Sequence, residues 1–458
     1  MQQIITAKLK LLTTPEQHHE LRQTQLAYRD ALNYASKYAF GHGKMSNARK
    51  LQKGTYDDIR LLFNLPSQMA CNVPHQVAAT YKGLWTKLKK NIEHRKAGYT
   101  KKRFKGLDKP PKYVLPTVTY NHGQDYGFKP GQRVSVRVLQ GRIVIPYEGY
   151  NRHLALIRHG ATIKAAKLWY DKRHKQFYLL VSLEQELPDP TPEVQQTVVG
   201  IDIGQRYLAT TATLTERQQF YPGKAVRAKA DHYARLRKRL QRKGTRSATR
   251  RLVTISGRER RLKLNTNHVI AKRIVAEHPH GLIGLEDLTD IRERKPRHKR
   301  RRKGKKALPL TQKQRHTNRH ASQWAFAELQ NIIIYKAILA GSMAIKVDAD
   351  YTSKACPLCG YIDKKNRPQN GLLFICQNKE CPYQLDTGRL YTLHADLIGA
   401  RNIAMRTLCV WQDWTKTGQL PIAPGVFKNP DVSDSETKAA RLQRYAELRW
   451  SPDASSHR

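Results

Sequence analysis

Two closely spaced pairs of cysteines constrain the fold of this chain more than any other feature. The first pair is Cys356 and Cys359, in the sequence C-P-L-C-G, and the second is Cys376 and Cys381, in C-Q-N-K-E-C. Two short cysteine loops supply the four thiolates of a tetrahedral zinc site. Such a site leaves no open coordination position, so the zinc ion would be structural and not catalytic. A thioredoxin-type redox site needs one such pair and not two.

The net charge of the chain points to a polyanionic partner. The 458 residues carry a formal net charge of +48, far beyond the roughly 2–8 charges that keep a small domain soluble. Basic side chains that neutralise phosphates release condensed counterions, so such a charge favours nucleic-acid binding. A ribosomal or histone-like protein is the other class with this charge, but a hydrophobic fraction of 39%, six Trp and 22 Tyr indicate larger folded cores.

Three acidic residues lie in contexts that suit a metal site. Asp202 follows the apolar pattern V-V-G-I, Glu286 closes G-L-I-G-L, and Asp396 lies in the helical pattern H-A-D-L-I-G-A-R-N-I-A. Each alone could be an ordinary acid at a turn, a strand end or a helix surface. Two strands and a helix can instead bring three carboxylates to one edge of a sheet, where they suffice as protein ligands for Mg2+. Two such ions about 3.5–4 Å apart can promote hydrolysis of a phosphodiester bond.

The position of the cysteines relative to these acids matters for the fold. They lie between a predicted strand, Ala344–Asp350, and the helix that carries Asp396. The sequence therefore predicts a metal-dependent nuclease core with a zinc ribbon inserted in it.

The N-terminal part of the chain predicts a small β-barrel with a helical insertion. Met1–Leu12 alternates apolar and polar residues as a strand does. A helical pattern then extends from a cap at Thr14 to about Ala39, and a second one extends from L-P-S-Q, which begins at Leu65, to about Ala97. Two hairpin patterns follow between Lys112 and Leu187, one with a turn at Gln-Gly. The strand and the hairpins together fit one barrel that the helices interrupt.

Two long basic helical patterns follow, Val226–Lys243 and Arg250–Glu277. In the simplest interpretation their charged sides face water. Like charges four residues apart on a helix repel one another, however, unless a polyanion screens them. A-form RNA or an RNA–DNA hybrid, recognised by shape and backbone, is the natural partner. Arg235, Arg239 and Arg242 are our candidates for contacts with nucleic acid.

Four motifs occur in one order along the chain: V-G-I-D-I-G-Q-R-Y-L-A-T, I-G-L-E-D-L, D-A-D-Y-T-S-K-A-C-P-L-C-G and D-L-I-G-A-R-N-I-A. This series resembles the split RuvC nuclease of the TnpB family, transposon-encoded RNA-guided endonucleases related to the compact type V CRISPR effectors. The start, K-L-K-L-L-T-T-P-E-Q, and the segment L-P-S-Q are also similar, and the resemblance covers residues 1–408. The family often has Asn where this chain has Ile398, and the stretch from Cys381 to Asp396 is long, so Asp386 is the alternative third acid.

The resemblance implies an RNase H-like core with a RuvC site. Asp202, Glu286 and Asp396 would hold two catalytic Mg2+ ions, and the four cysteines would hold one structural Zn2+ ion. The N-terminal domains would bind guide RNA and read a short target-adjacent motif in double-stranded DNA, while guide pairing selects the target. Gln68 is, by resemblance, a candidate for base contacts. Arg401, close to the third acid in sequence, is a candidate for steadying the scissile phosphate.

The predicted fold class is α+β and multidomain, with a wedge-like β-barrel that carries a helical insertion, followed by an RNase H-like RuvC nuclease domain with an inserted zinc ribbon. The predicted boundaries are, in chain order, the barrel over residues 1–14 and 98–190, the helical recognition insertion over 15–97, the first RuvC-like part over 191–350, the zinc-finger insertion over 351–390, the last RuvC-like helix over 391–408 and a flexible C-terminal tail over 409–458.

We therefore expect an RNA-guided, Mg2+-dependent DNA endonuclease. Two alternatives remain open: a non-cleaving RNA-guided DNA-binding regulator, and a protein-only RNase H-like transposase or resolvase. No stretch of the sequence is long and apolar enough to span a bilayer, and the cysteine pattern fits a reducing cytoplasm. We expect a monomer rather than a dimer, in a prokaryotic cytoplasm and associated with the nucleoid when bound to DNA.

Overall fold

The computed structural model describes the chain as two units, Met1–Pro188 and Asp189–Arg458. The described residues are 2–98, 100–172, 174–215, 217–288, 298–299, 308–309, 311–312, 318, 326–368, 371–418 and 434–450. Both units mix helices with strands, which confirms the predicted α+β class. None of the helices in the described part of the chain combines the length and the hydropathy of a membrane span.

A seven-stranded antiparallel sheet forms the centre of the first unit. Its strands are β1 (Gln2–Leu11), β2 (Val118–Tyr120), β3 (Tyr126–Lys129), β4 (Arg133–Val138), β5 (Gly141–Glu148), β6 (Thr162–Asp171) and β7 (Gln176–Glu186). They pair in the order β2-β6-β7-β1-β5-β4-β3. The two edges approach each other, because the Tyr120 hydroxyl on β2 donates to the Arg137 carbonyl on β4 and the Tyr126 hydroxyl on β3 to the Lys164 carbonyl on β6. The sheet is therefore a nearly closed barrel.

Three helices lie between β1 and β2 in the chain: α1 (Pro15–Gly41), α2 (Ala48–Phe63) and α3 (Ser67–Lys96). A fourth, α4 (Asn151–Arg158), follows β5. The predicted cap is confirmed, since Thr14 accepts from the Gln17 amide and Gln17 returns the bond in a capping box. The hairpin of β4 and β5 is also confirmed, with Val136 opposite Ile143. Helix α2 was not predicted, although Leu51 and Ile59 are buried at helical spacing.

A five-stranded mixed sheet forms the core of the second unit. Its strands are β8 (Thr197–Asp202), β9 (Tyr207–Thr213), β10 (Gln218–Pro222), β11 (Gly281–Glu286) and β14 (Met343–Val347), while β12 (His298–Lys299) and β13 (Leu308–Pro309) form a separate pair. The order is β10-β9-β8-β11-β14. Strand β9 runs antiparallel to both of its neighbours, whereas β8, β11 and β14 run parallel.

The helices of the second unit are α5 (Lys224–Lys243), α6 (Arg246–Glu277), α7 (Phe326–Leu339), α8 (Pro382–Thr387), α9 (Ala395–Thr417) and α10 (Asp434–Glu447). Helices α6 and α7 pack on one face of the sheet, and α9 packs on the other. Side chains alternate between the two faces along a strand. Val199, Ile201, Ile283 and Leu285 pack with buried residues of α6 and α7. The intervening residues of β8 and β11 face α9 on the other side.

Two glycines allow α9 to lie directly on the sheet. A Cβ atom at Gly200 would overlap the α9 backbone at Ala400 and Ala404, and one at Gly284 would overlap the Thr407 side chain. Any larger residue at these two positions would push the helix away from the strands. The glycines of V-V-G-I-D and L-I-G-L-E therefore fix the depth at which the helix carrying Asp396 packs.

A segment that we call the cysteine ribbon, residues 351–394, lies between β14 and α9 and contains β15 (Leu373–Ile375) and β16 (Thr392–His394), which pair antiparallel. The four cysteines and Phe374 form its core. The pairing of β15 with β16 leads the chain directly into α9, since β16 ends one residue before Ala395. The fold of the ribbon and the start of the Asp396 helix are therefore coupled.

The predicted boundary between a last nuclease helix and a flexible tail at residue 408 is wrong. Helix α9 continues to Thr417, and its later residues Cys409 and Trp414 are buried. Trp414 packs with Leu282 and Met343 of the sheet, which extends the apolar face of the helix beyond the predicted end. Trp450, near the end of the described residues, is buried as well.

Candidate active site

Asp202 and Glu286 lie side by side at the carboxyl ends of two parallel strands. The register of β8 and β11 pairs Ile201 with Leu285, so the next residue of each strand is one of the two acids. Both side chains are on the face that Gly200 and Gly284 present to α9, because residues two apart on a strand share a face. The carboxylates are therefore directed to one edge of the sheet, beneath the start of α9.

Asp396 reaches the same place from the helix. It is the second residue of α9, whose cap His394 accepts a hydrogen bond from the Asp396 amide at 3.2 Å. One turn further, a Cβ atom at Gly399 would lie 3.1 Å from Cγ of Asp202. A Cβ atom at Gly204 would lie 4.0 Å from an Asp396 carboxylate oxygen. The structure thus brings together the three predicted acids, whereas Asp386 is exposed on α8.

The surroundings of the three carboxyl groups disfavour their ionisation. Burial raises the pKa of Asp202 well above its usual value, and the charges of Glu286 and Asp396 raise it further. Burial is also the main cause that raises the pKa of Glu286 and of Asp396. Buried carboxylates that repel one another favour either protonation or a bound cation. Clustered oxygen ligands of this kind suit a hard divalent ion such as Mg2+.

One arginine of the cysteine ribbon acts on all three acids. The charge of Arg367 lowers the pKa of Asp202, Glu286 and Asp396, in opposition to their burial. Its guanidinium donates to the Gly371 carbonyl at 2.5 Å, which ties it to its own ribbon. The ribbon therefore contributes a half-buried cation whose charge favours the ionised form of the three carboxyl groups.

The Glu286 carboxylate is held by a loop. The Thr352 hydroxyl donates to Oε1 of Glu286. Asn402 of α9 donates to the Thr352 carbonyl at 2.6 Å and to the Ala355 carbonyl at 2.9 Å. The backbone of the acid is fixed separately, since the Gln330 side chain donates to the Glu286 carbonyl at 2.6 Å. The loop that leads from β14 into the ribbon therefore reaches the acid site.

The four cysteines fit a metal ion. Among the residues that the structure describes, they are the group of His, Cys, Asp or Glu side chains whose ligand atoms all lie within 4.8 Å of one another. The sulfur atoms of Cys359 and Cys376 are 3.6 Å apart, close to the edge of a tetrahedron with Zn–S bonds of about 2.3 Å. A hydrogen bond with Cys356 lowers the pKa of Cys359 to about 4, whereas burial raises that of Cys376 to about 12. A cation at the centre of the four sulfur atoms would stabilise the thiolate form of all four cysteines.

Three of the predicted nucleic-acid contacts lie on one helix. Arg235, Arg239 and Arg242 are exposed on α5, which is tied to α6 by Arg237, a neighbour that pairs with the buried Glu259. Such exposure suits phosphate binding.

Two further candidates have more specific surroundings. Gln68 is half-buried in the first turn of α3. Arg401 donates to the Tyr391 hydroxyl at 3.0 Å, and its guanidinium lies 4.7 Å from the ring centroid of Trp450. Because Arg401 is engaged with these two aromatic residues, its role at a scissile phosphate stays a prediction.

Sequence reasoning did not single out three residues of this site. Arg367 and Thr352 lie in irregular parts of the cysteine ribbon, where no periodic pattern marks a site residue. Thr210 pairs with Asp202 across β8 and β9, and its buried hydroxyl has no hydrogen-bond partner among the described residues. A buried polar atom one strand from a carboxylate becomes visible only when the strand register is known.

Comparisons with known proteins agree with the motifs. A family described as Cas12f1-like, TNB domain, matches residues 326–403, and one described as probable transposase matches residues 179–290. The first segment contains the cysteine ribbon and Asp396, and the second contains Asp202 and Glu286. The two matched segments therefore cover the three acids and the four cysteines.

Two curated proteins are similar over part of their length. The CRISPR-associated endodeoxyribonuclease Cas12f1 of Sulfoacidibacillus thermotolerans is 27% identical over 53% of this chain and 53% of its own. A TnpB-like protein of Methanocaldococcus jannaschii is 31% identical over 30% of this chain and 44% of its own. The match thus spans about half the length of these relatives. A solved structure of the mini-RNA-guided endonuclease CRISPR-Cas_phi3 covers 89% of this chain and 93% of that chain, with 10% identity and a TM-score of 0.48. The sequence matches confirm the resemblance to TnpB-like proteins and compact Cas12 effectors.

Proposed function

We propose that this protein is an RNA-guided DNA endonuclease that hydrolyses phosphodiester bonds in guide-matched DNA, next to a short target-adjacent motif. The observation that carries the proposal is the convergence of Asp202, Glu286 and Asp396, from two strands and a helix, at one edge of a mixed sheet. The relatives named as TnpB-like protein and endodeoxyribonuclease Cas12f1 support the same activity. The strand order of the sheet supports an RNase H-like, RuvC-type core.

The carboxylates fit magnesium. Asp202, Glu286 and Asp396 would hold two Mg2+ ions, because burial raises the pKa of all three acids, the charges of Glu286 and Asp396 raise that of Asp202 further, and divalent cations would stabilise the ionised carboxylates. Such ions activate a water molecule and stabilise the leaving oxygen of a phosphodiester displacement. The four cysteines would hold one structural Zn2+ ion, which keeps the ribbon folded beside the site.

The chain's own residues prepare the site for a phosphate. Arg367 would neutralise part of the charge of the scissile phosphate, since its charge already lowers the pKa of all three acids. Thr352 would keep the Glu286 carboxylate in one orientation through the hydrogen bond that it donates. A cation and carboxylate ligands that are already in position stabilise the charge of the transition state without having to reorient during the reaction.

The proposed partners of the protein are guide RNA and double-stranded DNA, in line with its net charge of +48. Arg235, Arg239 and Arg242 on the exposed side of α5 would contact the backbone of guide RNA or of the RNA–DNA hybrid. Gln68 in the first turn of α3 would contact bases of the target-adjacent motif. Arg401 would support a phosphate only after leaving its contacts with Tyr391 and Trp450. The protein would act as a monomer on double-stranded DNA in the nucleoid.

Cleavage of a plasmid library tests the proposal. The protein is purified with RNA co-expressed from its native locus, and the library carries a guide-matched target beside a randomised flank, with Mg2+ added. We expect cleavage that depends on the guide match and selects one flank. Guide-dependent binding without cleavage would favour a non-cleaving regulator, and cleavage without guide dependence would favour a protein-only transposase or resolvase.

Matched acid variants assign the site. Asp202→Asn, Glu286→Gln and Asp396→Asn should each lower the cleavage rate on the order of a thousandfold or more, the scale seen when one member of a catalytic unit is removed. Asp386→Asn is the control, because this exposed side chain lies on α8. RNA binding should be unchanged in all four variants. Loss of cleavage in Asp386→Asn with activity retained in Asp396→Asn would reverse the assignment of the third acid.

A further inference from the structure

The loop over residues 348–352 controls how Glu286 is held. Its Thr352 hydroxyl has one proton and two acceptors, Oε1 of Glu286 and the Ala349 carbonyl at 3.2 Å. A small shift of the loop would change which of these two oxygens receives the hydrogen bond. The groups that fix this loop therefore also fix the orientation of the carboxylate.

Helix α9 fixes the loop from one side. Arg406 is buried, and its guanidinium donates to the Asp348 carbonyl and, at 2.7 Å, to the Asp350 carbonyl. Asn402, one turn earlier, holds the Thr352 carbonyl. These bonds restrain the backbone of the loop at three carbonyl groups.

Helix α10 fixes the same loop from the other side. Arg441 donates to both carboxylate oxygens of Asp348, from Nε at 2.8 Å and from Nη2 at 3.3 Å. The Tyr445 hydroxyl lies 3.5 Å from one of these oxygens. The Tyr445 ring also lies 4.5 Å from the Arg406 guanidinium, a distance typical of a cation–π contact. Asp348 is thus held at its carbonyl by α9 and at its carboxylate by α10.

The end of the described chain anchors α10 against the cysteine ribbon. The Trp450 amide donates to the Pro357 carbonyl at 2.6 Å, inside the first cysteine pair. The Trp450 ring is buried with Ala404 and Met405 of α9. This anchor limits how far α10 can move from the loop.

We propose that Arg441 and Tyr445 of the C-terminal helix are positioning residues for the acid Glu286, acting through Asp348 and Thr352. This inference rests on the proposed nuclease function, because it assigns a role to groups that hold one of its acids. The helix lies in the part of the chain that sequence patterns assign to a tail with a short helix around Glu436–Trp450, and its side chains complete the support of the site.

A double-mutant cycle separates positioning from mere stabilisation. Thr352→Val removes the hydroxyl that contacts Glu286. Arg441→Gln removes the guanidinium that donates two hydrogen bonds to the Asp348 carboxylate. Arg444→Gln is the control, because Arg444 lies on the same helix but pairs with Asp413 at 2.6 Å. Each variant is measured for cleavage rate, for the Mg2+ concentration at half-maximal rate and for unfolding temperature. Mn2+ binding to the RNA-bound protein is measured by calorimetry.

The two single variants should weaken cation binding to different extents. Thr352→Val should weaken Mn2+ binding and raise the half-maximal Mg2+ concentration by about tenfold, as when an outer partner of a metal ligand is lost. Arg441→Gln should do so by roughly threefold, since it is one contact further away and half-exposed. The double variant should match Thr352→Val alone, because residues that act through one path are not additive. Arg444→Gln should leave both cation measurements unchanged.

Other outcomes overturn the inference. Additive effects in the double variant, or an Arg441→Gln effect confined to unfolding temperature, would mean that α10 is only a structural brace. If Arg441→Gln fails to fold, Tyr445→Phe repeats the test, because it removes one hydroxyl and keeps the ring beside Arg406. If the wild-type protein does not cleave, the proposed function fails, and the calorimetric cycle still decides whether α10 positions Glu286.

Discussion

Gly399 of α9 packs directly on the Asp202 side chain, so that a methyl group at this glycine would lie 3.1 Å from Cγ and 3.2 Å from a carboxylate oxygen of the acid. The absence of a side chain at one helix position therefore allows an acid from β8 to lie within reach of Asp396. This contact makes the geometry of the site sensitive to single atoms.

The first prediction concerns this contact. Gly399→Ala should displace Asp202 or lift α9, because 3.1 Å is shorter than ordinary van der Waals contact. We expect the cleavage rate to fall by up to about tenfold, because the contact requires a shift of only a few tenths of an ångström, whereas a displacement near 1 Å costs roughly a hundredfold. Gly257→Ala in α6 is the control, because its Cβ atom would meet only the flexible end of Arg261 at 3.4 Å. Equal cleavage rates for Gly399→Ala and wild type would show that the site accommodates the added methyl group without disturbing Asp202.

Much of the acid site could be predicted from local patterns. Asp202 and Glu286 each follow an apolar run that is too short for a helix and ends in a charged residue, and both runs are strands of the central sheet. Parallel neighbours bring their carboxyl ends to one edge, so two strands of this type predict a site without knowledge of the full fold. Gly200 and Gly284 within the same motifs explain why a helix packs so closely there.

The supporting residues could not be predicted in this way. Arg367 and Thr352 reach the acids through the path of an irregular loop and a ribbon, and no periodicity encodes such a path. The end of the nuclease core was misplaced for a different reason. The motif resemblance stops near residue 408, whereas Cys409 and Trp414 continue the buried side of α9 and carry information that the motifs do not.

The second prediction concerns stability and pH. The pKa of Asp202 is raised in the folded protein, so the folded state binds more protons than the unfolded state at pH values above 3.8, the usual pKa. The stability that this proton contributes is complete below that value and is lost as the pH rises through the folded-state pKa. With EDTA present at neutral pH, Asp202→Asn should therefore unfold at a higher temperature than the wild type.

Thermal unfolding at several pH values checks this expectation. The difference between Asp202→Asn and the wild type should narrow as the pH falls towards 4, and added Mg2+ should raise the unfolding temperature of the wild type more than that of the variant. Asp386→Asn serves as the exposed control. A variant less stable than the wild type in EDTA would contradict the repulsion among the three acids.

The third prediction concerns the cysteine ribbon. Cys376→Ser should abolish binding of one zinc ion per chain, because Cys376 is one of the four clustered ligands and its thiol is buried. Cleavage should be lost with the metal, since β16 of the ribbon leads directly into the helix of Asp396. Metal analysis of the purified protein measures the zinc content, with Cys71→Ser, which lies outside the cluster, as the control. Full zinc content in Cys376→Ser would exclude a four-cysteine site.

The fourth prediction concerns Arg367. Its charge lowers the pKa of all three acids, so Arg367→Gln should raise these pKa values further. A carboxyl group must lose its proton before it binds a divalent cation, so the acidic limb of the pH–rate profile should move to higher pH. At neutral pH the rate should fall about a hundredfold, the scale of losing one preorganised electrostatic partner. Arg367→Lys should restore part of the rate and return the acidic limb towards its wild-type position, because the charge is kept while the planar fork is lost. A lower rate with an unmoved acidic limb would instead assign Arg367 to the fold of the ribbon.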